Sequence, residues 1–399
     1  MEQTVKVKLS GSYDVAVCGG GIAGIAAALA AARQGKKTIL FEKGYMLGGL
    51  ATAGLITIYL PLCDGYGKQV SFGIAEELLR LSIKHGAEER YPANWLDNVG
   101  TRTENDQRFL VRYNAQLFAV LAEQYLLEAG VDILYGSYVV DVIKEGEKID
   151  TLVIECKSGR CGYQVGSVVD ATGDCDIAFF ADAPTNTNQT GNILASWYYS
   201  AGEKGYDLHK VGATASPEIA ENTPNYDRYL STLRFEGVEC KEVSDVMVMS
   251  HKYMLDHFLK WREKDPTSWM ATIPTVPLTR MTRKLIGEYV QHDTEMHEYF
   301  EDSIGMVSDW RKRGPVYEVP FRTLYSKSVP NLIVAGRCTS CTEEMWDIMR
   351  VIPCCAITGQ AAGTAAAMTN DFTTLDVTAL QAKLVKDGVI LHEKDLPNT

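Results

Sequence analysis

Apolar and polar positions along the chain follow two periods that hand over to one another at glycines. "YDVAVCG" (13–19) is a short β run. "IAGIAAALAAARQG" is an alanine-rich helix stopped by Gly35, and "KKTILFEK" is a second buried strand. This strand–turn–helix–strand order predicts a βαβ half-unit of about 30 residues. From Gly73, "GIAEELLRLSIKHG" turns helical. "NAQLFAVLAEQYLLEAG" places Leu117, Val120, Leu121, Gln124 and Tyr125 at helical spacing, with Asn114 as N-cap and Gly130 as stop. The segment from Val131 to Asp174 alternates in short β runs, a β-meander ending in "VVDATGD" and a tight loop at Gly173.

Residues from about Ala183 to Val319 differ in character, being rich in Tyr, Trp, His and Met, with "VSDVMVMSHKYMLDHFLKWREK" reading as a helix. "VPNLIVAGRC" returns to a buried strand ending in glycine. "PCCAITGQAAGTAAAMTN" is then an alanine- and glycine-rich helix with Pro353 suited to its N1 position.

Composition narrows the class. A chain of 399 residues, 46% hydrophobic, buries a large core and forms more than one compact unit. Its N-terminus has no apolar h-region, and ten cysteines then point to free thiols in a reducing, cytoplasmic compartment. The uncharged stretch Tyr45–Cys63 holds three Gly and a Pro, which suits a buried loop and strand better than a membrane span. A net charge of −12 without a Lys/Arg block sets nucleic acid aside; a small anion can still bind a local arginine cluster.

Gly19-x-Gly21-x-x-Gly24 has the spacing that dinucleotide binding requires. The first glycine turns the chain, the second lets backbone approach a pyrophosphate, and the third lets helix pack on strand. The helix N-terminus adds free N–H groups for the phosphates. Glu42, at the end of the second strand, would accept a ribose hydroxyl and repel a 2′-phosphate. A single-Rossmann NAD enzyme has no need of the later "VVDATGD" and "NLIVAGR…GQAAG" segments, whereas the longer FAD does.

Those same stretches, with "GGLATAG" and "RVIPCCAITGQAAGTAAA", resemble the FAD-dependent oxidoreductase family, within the glutathione-reductase-like flavoproteins that include the fumarate reductase flavoproteins. The resemblance implies an α/β fold: a Rossmann-like FAD domain of the GR2 type, with a central parallel sheet and β-meander, and an inserted α+β cap over the substrate. The FAD domain is expected over 1–75, 111–182 and 320–399, the cap over 76–110 and 183–319. Gly19, Gly21 and Gly24, with Ile22 and Ala23, would meet the pyrophosphate, and Glu42 and Lys43 the adenosine. Gly48, Gly49, Leu50, Ala51 and Thr52 would line the ribityl chain and flavin. Val139, Ala171, Thr172 and Gly173 would lie over the adenosine half. Gly336 and Arg337 would approach the ribityl end. The helix after Pro353, with Cys354 and Ala356, would aim its N-terminus at the flavin N1/O2 edge, where reduced flavin carries negative charge.

Two departures stand out. Many relatives have Gly-Asp where this chain has Gly336-Arg337, and no histidine near Gly49 could link the flavin covalently. No second GxGxxG provides an NAD(P)H domain, so an external electron donor or acceptor is expected.

For the chemistry, Arg280 and Arg283 form a compact cationic pair, and Arg283 is the preferred anchor for a carboxylate. His251 is the candidate proton carrier, while His292 and His297 sit in an acidic stretch read as helical. Arg350 precedes the flavin-facing helix. Trp197, Tyr198 and Tyr199 either wall the substrate pocket or pack within a strand. The expected activity is hydride transfer to or from flavin N5 on a small carboxylate- or hydroxyl-bearing molecule, as dehydrogenase or C=C reductase, with no metal. The alternative is an electron-transfer component using Cys338, Cys341, Cys354 and Cys355, since a helix N-terminus lowers a thiol pKa.

Overall fold

The computed structural model describes residues 6–85, 110–212 and 230–397. Its centre is a seven-stranded sheet. Five parallel strands run in the order Asp132–Tyr135, Thr38–Glu42, Lys8–Cys18, Gly159–Asp170 and Leu332–Val334. Residues Val15–Cys18, Ile39–Phe41 and Val168–Asp170 are buried. Helices or meander cover both faces, and such strands read as continuous apolar runs.

Gly159–Asp170 has two partners along one edge. Its first half pairs antiparallel with Lys148–Cys156, which pairs in turn with Tyr138–Glu145; its last three residues pair parallel with Leu332–Val334. This is the β-meander expected from the sequence. The register brings Cys18 level with Phe41 and Asp170, and Asp170 level with Val334. Gly19, Glu42, Ala171 and Ala335 therefore emerge together at the carboxyl end of the sheet, where open α/β sheets bind ligands.

Two helices on one face make this arrangement compact. Ile22–Arg33 and Ile352–Met368 meet through small residues: a β-carbon at Gly359 would lie 2.3 Å from the Ala23 carbonyl oxygen, and one at Gly363 2.1 Å from that of Ala27. The second helix begins at Ile352, so Pro353 occupies its first turn one position later than anticipated. Asn114 caps Ala115–Glu128 as expected, its side chain accepting from Leu117 N–H at 2.9 Å. Ile74–Ile83 buries Ile74, Ala75, Leu78 and Leu79 in this main core, and the hairpin Ser303–Ser308/Val316–Pro320 adds Ile304, Val307, Tyr317 and Val319. Apart from Ile74, Ala75 and Pro320, both fall in stretches that the sequence suggested for the cap.

The remaining cap is a three-stranded antiparallel sheet, Gly205–Val211, Ser196–Gly202 and Trp269–Thr272, with the helix Cys240–Lys264 alongside. Within Ser196–Gly202 the aromatic run alternates. Trp197 and Tyr199 pack with Leu55 and Leu278, while Tyr198 faces Met254 and Phe258. His292 and His297 lie in turns rather than in a helix. Residues 86–109 and 213–229, part of the expected cap, lie outside the described residues. Among the described residues no single helix is long and apolar enough to cross a membrane.

Candidate functional site

The strand ends open on one cavity of about 1150 Å³. Each glycine of the turn there has a separate task. Gly19 has φ +99°, and a β-carbon would stand 2.5 Å from the Ala171 carbonyl oxygen. Gly24 is closer still to its neighbour, since a β-carbon would fall 1.8 Å from Gly19 O. Gly21 is the opposite case: a β-carbon there would meet nothing within 4 Å, because its α-carbon faces the cavity.

The helix that follows has Gly21 as N-cap and no side-chain hydrogen bond at that end. Its first N–H groups are thus open to an anion at Ile22 and Ala23, both on the cavity wall. The same holds for Ile352–Met368. Its N-cap Val351 makes no side-chain cap, and Val351, Ile352 and Cys355 line the cavity. Two uncapped helix N-termini facing one cavity suit a ligand with a pyrophosphate in one part and developing negative charge in another.

Between them, Gly48 and Gly49 cross the phosphate turn. Gly48 N–H donates to Gly20 O at 2.8 Å, and a β-carbon at Gly49 would stand 3.2 Å from the Gly21 α-carbon. Leu50 and Ala51 continue along the cavity wall. Glu42 holds the other rim, accepting from Gly20 N–H at 2.7 Å and from Gly44 N–H at 2.6 Å. Two fixed bonds set the carboxylate's direction and leave lone pairs for hydroxyls. Beside it, Lys43 lies 5.6 Å from the Tyr138 ring centroid. Burial works against its charge, but Asp174, Tyr138, Asp176 and Glu42 outweigh it and raise its pKa.

The "DATGD" loop is organised by Asp170, which is fully buried. Its carboxylate accepts from the N–H groups of Thr172, Ile177 and Ala178 and from the Thr172 hydroxyl, at 2.6 to 3.1 Å. Burial nonetheless raises its pKa. These bonds set Ala171, Thr172 and Gly173 on the cavity wall, opposite Val139.

Arg337, the departure from the Gly-Asp pattern, reaches across to this loop. It pairs with Asp174 at 2.9 Å and also donates to the Thr279 carbonyl. A β-carbon at Gly173 would stand 2.7 Å from its guanidinium. Through these two bonds the arginine ties the nucleotide loop to the cap.

The arginine pair of the cap separates. Residues three apart in extended chain point to opposite faces. Arg283 goes to the nucleotide side, 3.3 Å from Asp176 and 4.0 Å from the Phe179 ring centroid. Asp176 is pushed up to about 6 by burial, then by Asp174 and Asp170, with Lys43 and Arg283 opposing. Arg280 goes to the cap side, its guanidinium 5.7 Å from the Trp197 ring centroid. Burial first, then Arg350, pushes its pKa down to about 9; Asp347 opposes and Arg337 adds to the effect. Arg350 donates to Asp347, and its side chain is only 8% exposed.

Of the residues expected from the sequence, Gly19, Gly21, Ile22, Ala23, Glu42, Lys43, Gly48, Gly49, Leu50, Ala51, Val139, Ala171, Thr172, Gly173, Gly336, Arg337, Arg283 and Arg350 all line the cavity. Five do not. Gly24 packs helix on turn; Thr52 is buried behind the loop and donates to Leu47 O; Cys354 and Ala356 face the core. His251 is exposed on the cap helix and away from the cavity, so it cannot carry a proton to the flavin. No histidine lines the cavity among the described residues. Arg283 lines the cavity on its nucleotide side, where Asp176 engages it at 3.3 Å. Sequence reasoning passed over Lys210, Trp310 and Tyr138, which no motif marks, and gave no role to Asp174, the last residue of "DATGD".

Of Cys338, Cys341, Cys354 and Cys355, only Cys355 lines the cavity. Burial raises all four thiols, with Cys341 and Cys355 pushed up to about 12. Desolvation outweighs the helix terminus here.

A family model described as FAD dependent oxidoreductase matches residues 14–197 and 196–384, and the chain belongs to that family. FAD is accordingly its cofactor, and the open space at Gly21 and the two uncapped helix ends fit that group. Similar solved structures include a geranylgeranyl bacteriochlorophyll reductase-like protein from Thermoplasma acidophilum, at 15% identity over 95% of this chain and 85% of that one, TM-score 0.46. Another is p-nitrophenol 4-monooxygenase from Pseudomonas putida, at 11% identity over 95% of this chain and 81% of that one, TM-score 0.46. No curated protein sequence matches the chain.

Proposed function

We propose that this FAD-dependent oxidoreductase acts on a small organic molecule held between the flavin and the cap, as a dehydrogenase or C=C reductase. When bound, FAD supplies the hydride acceptor or donor at N5. The observation that carries the reading is the extent of the cavity. It continues from the phosphate turn past Ile352 to Trp197, Lys210 and Arg280 of the cap, so one cavity of about 1150 Å³ is walled by both the nucleotide turn and the cap.

Within it the chain's own groups divide the work. The helix end at Ile22 and Ala23 would hold the pyrophosphate, Glu42 the ribose and Lys43 the adenosine side. The uncapped helix end at Ile352 would stabilise negative charge on a bound flavin. Trp197 and Trp310 wall off water from the substrate. The thiol alternative has less support, because three of its four sulfurs lie off the cavity and burial keeps them protonated.

Anaerobic photometry of the FAD-loaded protein tests this reading. Titration with NADH, NADPH and a panel of carboxylates, alcohols and sugars should find a molecule that bleaches the flavin, or one that reoxidises it. If every small molecule leaves the flavin unchanged and only an electron-carrier protein reduces it, the electron-transfer reading replaces this one.

A further inference from the structure

We propose that Arg280, Arg350 and the indole N–H of Trp197 form an anion-binding corner that takes a carboxylate of the substrate. The inference rests on the oxidoreductase reading above and names the substrate class for that same cavity.

All three residues line the cavity, on its cap and flavin-facing walls. Arg350 Nε and Trp197 Nε1 are buried and have no hydrogen-bond partner among the described residues. Buried donors left unsatisfied cost folding free energy, and such orphans in a cavity wall fit an acceptor supplied by a ligand. Lys210 adds a further cation, its Nζ 5.3 Å from the Trp197 ring centroid. Asp347 pairs with both Arg350 and Arg311. The corner is therefore cationic, rich in donors and walled by indole, which suits a planar, acceptor-only group.

Its rigidity comes from Asn192, buried at 6% exposure. The Asn192 side-chain oxygen accepts from Arg280 N–H at 2.7 Å and Met281 N–H at 3.0 Å, and its NH2 donates to Met281 O at 2.6 Å and Phe235 O at 3.0 Å. Three of these bonds fix the backbone at Arg280 and Met281, and the fourth ties Asn192 to Phe235, before any ligand enters. The pyrophosphate is provided for elsewhere, at the uncapped helix end after Gly21.

The test uses FAD-loaded protein and matched pairs differing in charge alone: benzoate with benzamide, succinate with succinamide, indole-3-acetate with indole-3-acetamide. Binding is read from the perturbed flavin absorbance. At least one acid should bind about tenfold or more tighter than its amide, the preference vanishing in Arg280→Leu and persisting in part in Arg280→Lys. Flavin retention and melting temperature show that each variant is folded. Equal binding of every acid and its amide overturns the corner, as does a preference that survives Arg280→Leu. A flavin midpoint potential that falls in Arg280→Leu with the acid preference intact assigns Arg280 to the reduced flavin and also overturns it. Turnover of a small molecule without acid preference sinks the corner alone. Acid preference in a protein redox-silent toward every small molecule supports the corner and sinks the oxidoreductase reading.

Discussion

Gly359 lies so close to Ala23 that a β-carbon on it would stand 2.3 Å from the Ala23 carbonyl oxygen. The contact is backbone against backbone, so no side chain can swing away to relieve it. Parting the helices Ile22–Arg33 and Ile352–Met368 is the only remedy, and that displaces both helix ends at the cavity. Gly359→Ala should cost at least the ~1–3 kcal/mol of ordinary overpacking and weaken FAD retention with it. Thermal melting and the FAD content of purified protein measure this. A Gly359→Ala protein as stable and as yellow as the parent would show that the helices can part freely.

Glu42 ties its carboxylate to Gly20 and Gly44 N–H and faces the cavity. Glu42→Gln replaces a charged acceptor by a neutral amide that presents one acceptor oxygen instead of two. Since a hydrogen bond to a charged group contributes about 1.5–3 kcal/mol, FAD affinity should fall roughly 10- to 100-fold. Fluorescence of released FAD on dilution reads the dissociation constant. Unaltered retention would remove Glu42 from the ribose site.

The cap contains a pair of histidines, His209 buried and His257 half-buried, whose rings lie 5.4 Å apart. His209 Nε2 shares a hydrogen bond with Ser200 Oγ at 2.7 Å, and His257 Nδ1 one with Tyr198 Oη at 2.8 Å. Burial lowers both pKa values. His257 lowers His209 further against Asp207, and Lys260 and Lys264 lower His257. Both folded-state pKa values lie below the unfolded one, so the unfolded chain binds protons first as pH falls. Stability should be level above the ordinary histidine value of about 6.5 and decline below it. Melting temperatures from pH 8 to 5 follow this decline, which His209→Gln should blunt. Parallel curves for parent and variant would place the acid sensitivity elsewhere.

Cys338 and Cys341 are buried, off the cavity and held protonated by desolvation. Cys338 sits beside Cys175 and Asp170; Cys341 Sγ lies 3.5 Å from the Thr339 carbonyl oxygen. The double replacement Cys338→Ala with Cys341→Ala should lower stability through lost packing. Flavin reduction by the small substrate should be unchanged in stopped-flow absorbance. A slowed half-reaction in a protein of normal FAD content would restore the thiols to the chemistry.

The nucleotide half of the site is legible in the sequence by itself, because local pattern carries it. A buried strand reads as an apolar run, and a backbone that must turn or touch its neighbour reads as glycine at Gly19, Gly24 and Gly173. A helix start beside them places its N–H groups within a few residues. The substrate half is not legible there, for the opposite reason. Arg280 and Arg283 look alike in sequence, and their separation depends on Asp176 and Trp197, each more than eighty residues away in the chain. Helical spacing could not show that His251 faces outward, and the helix start at Cys354 could not show that burial raises its thiol. Cofactor contacts made by backbone follow from short-range pattern; substrate contacts made by side chains depend on which distant surfaces the fold brings together, and on how much water it excludes there.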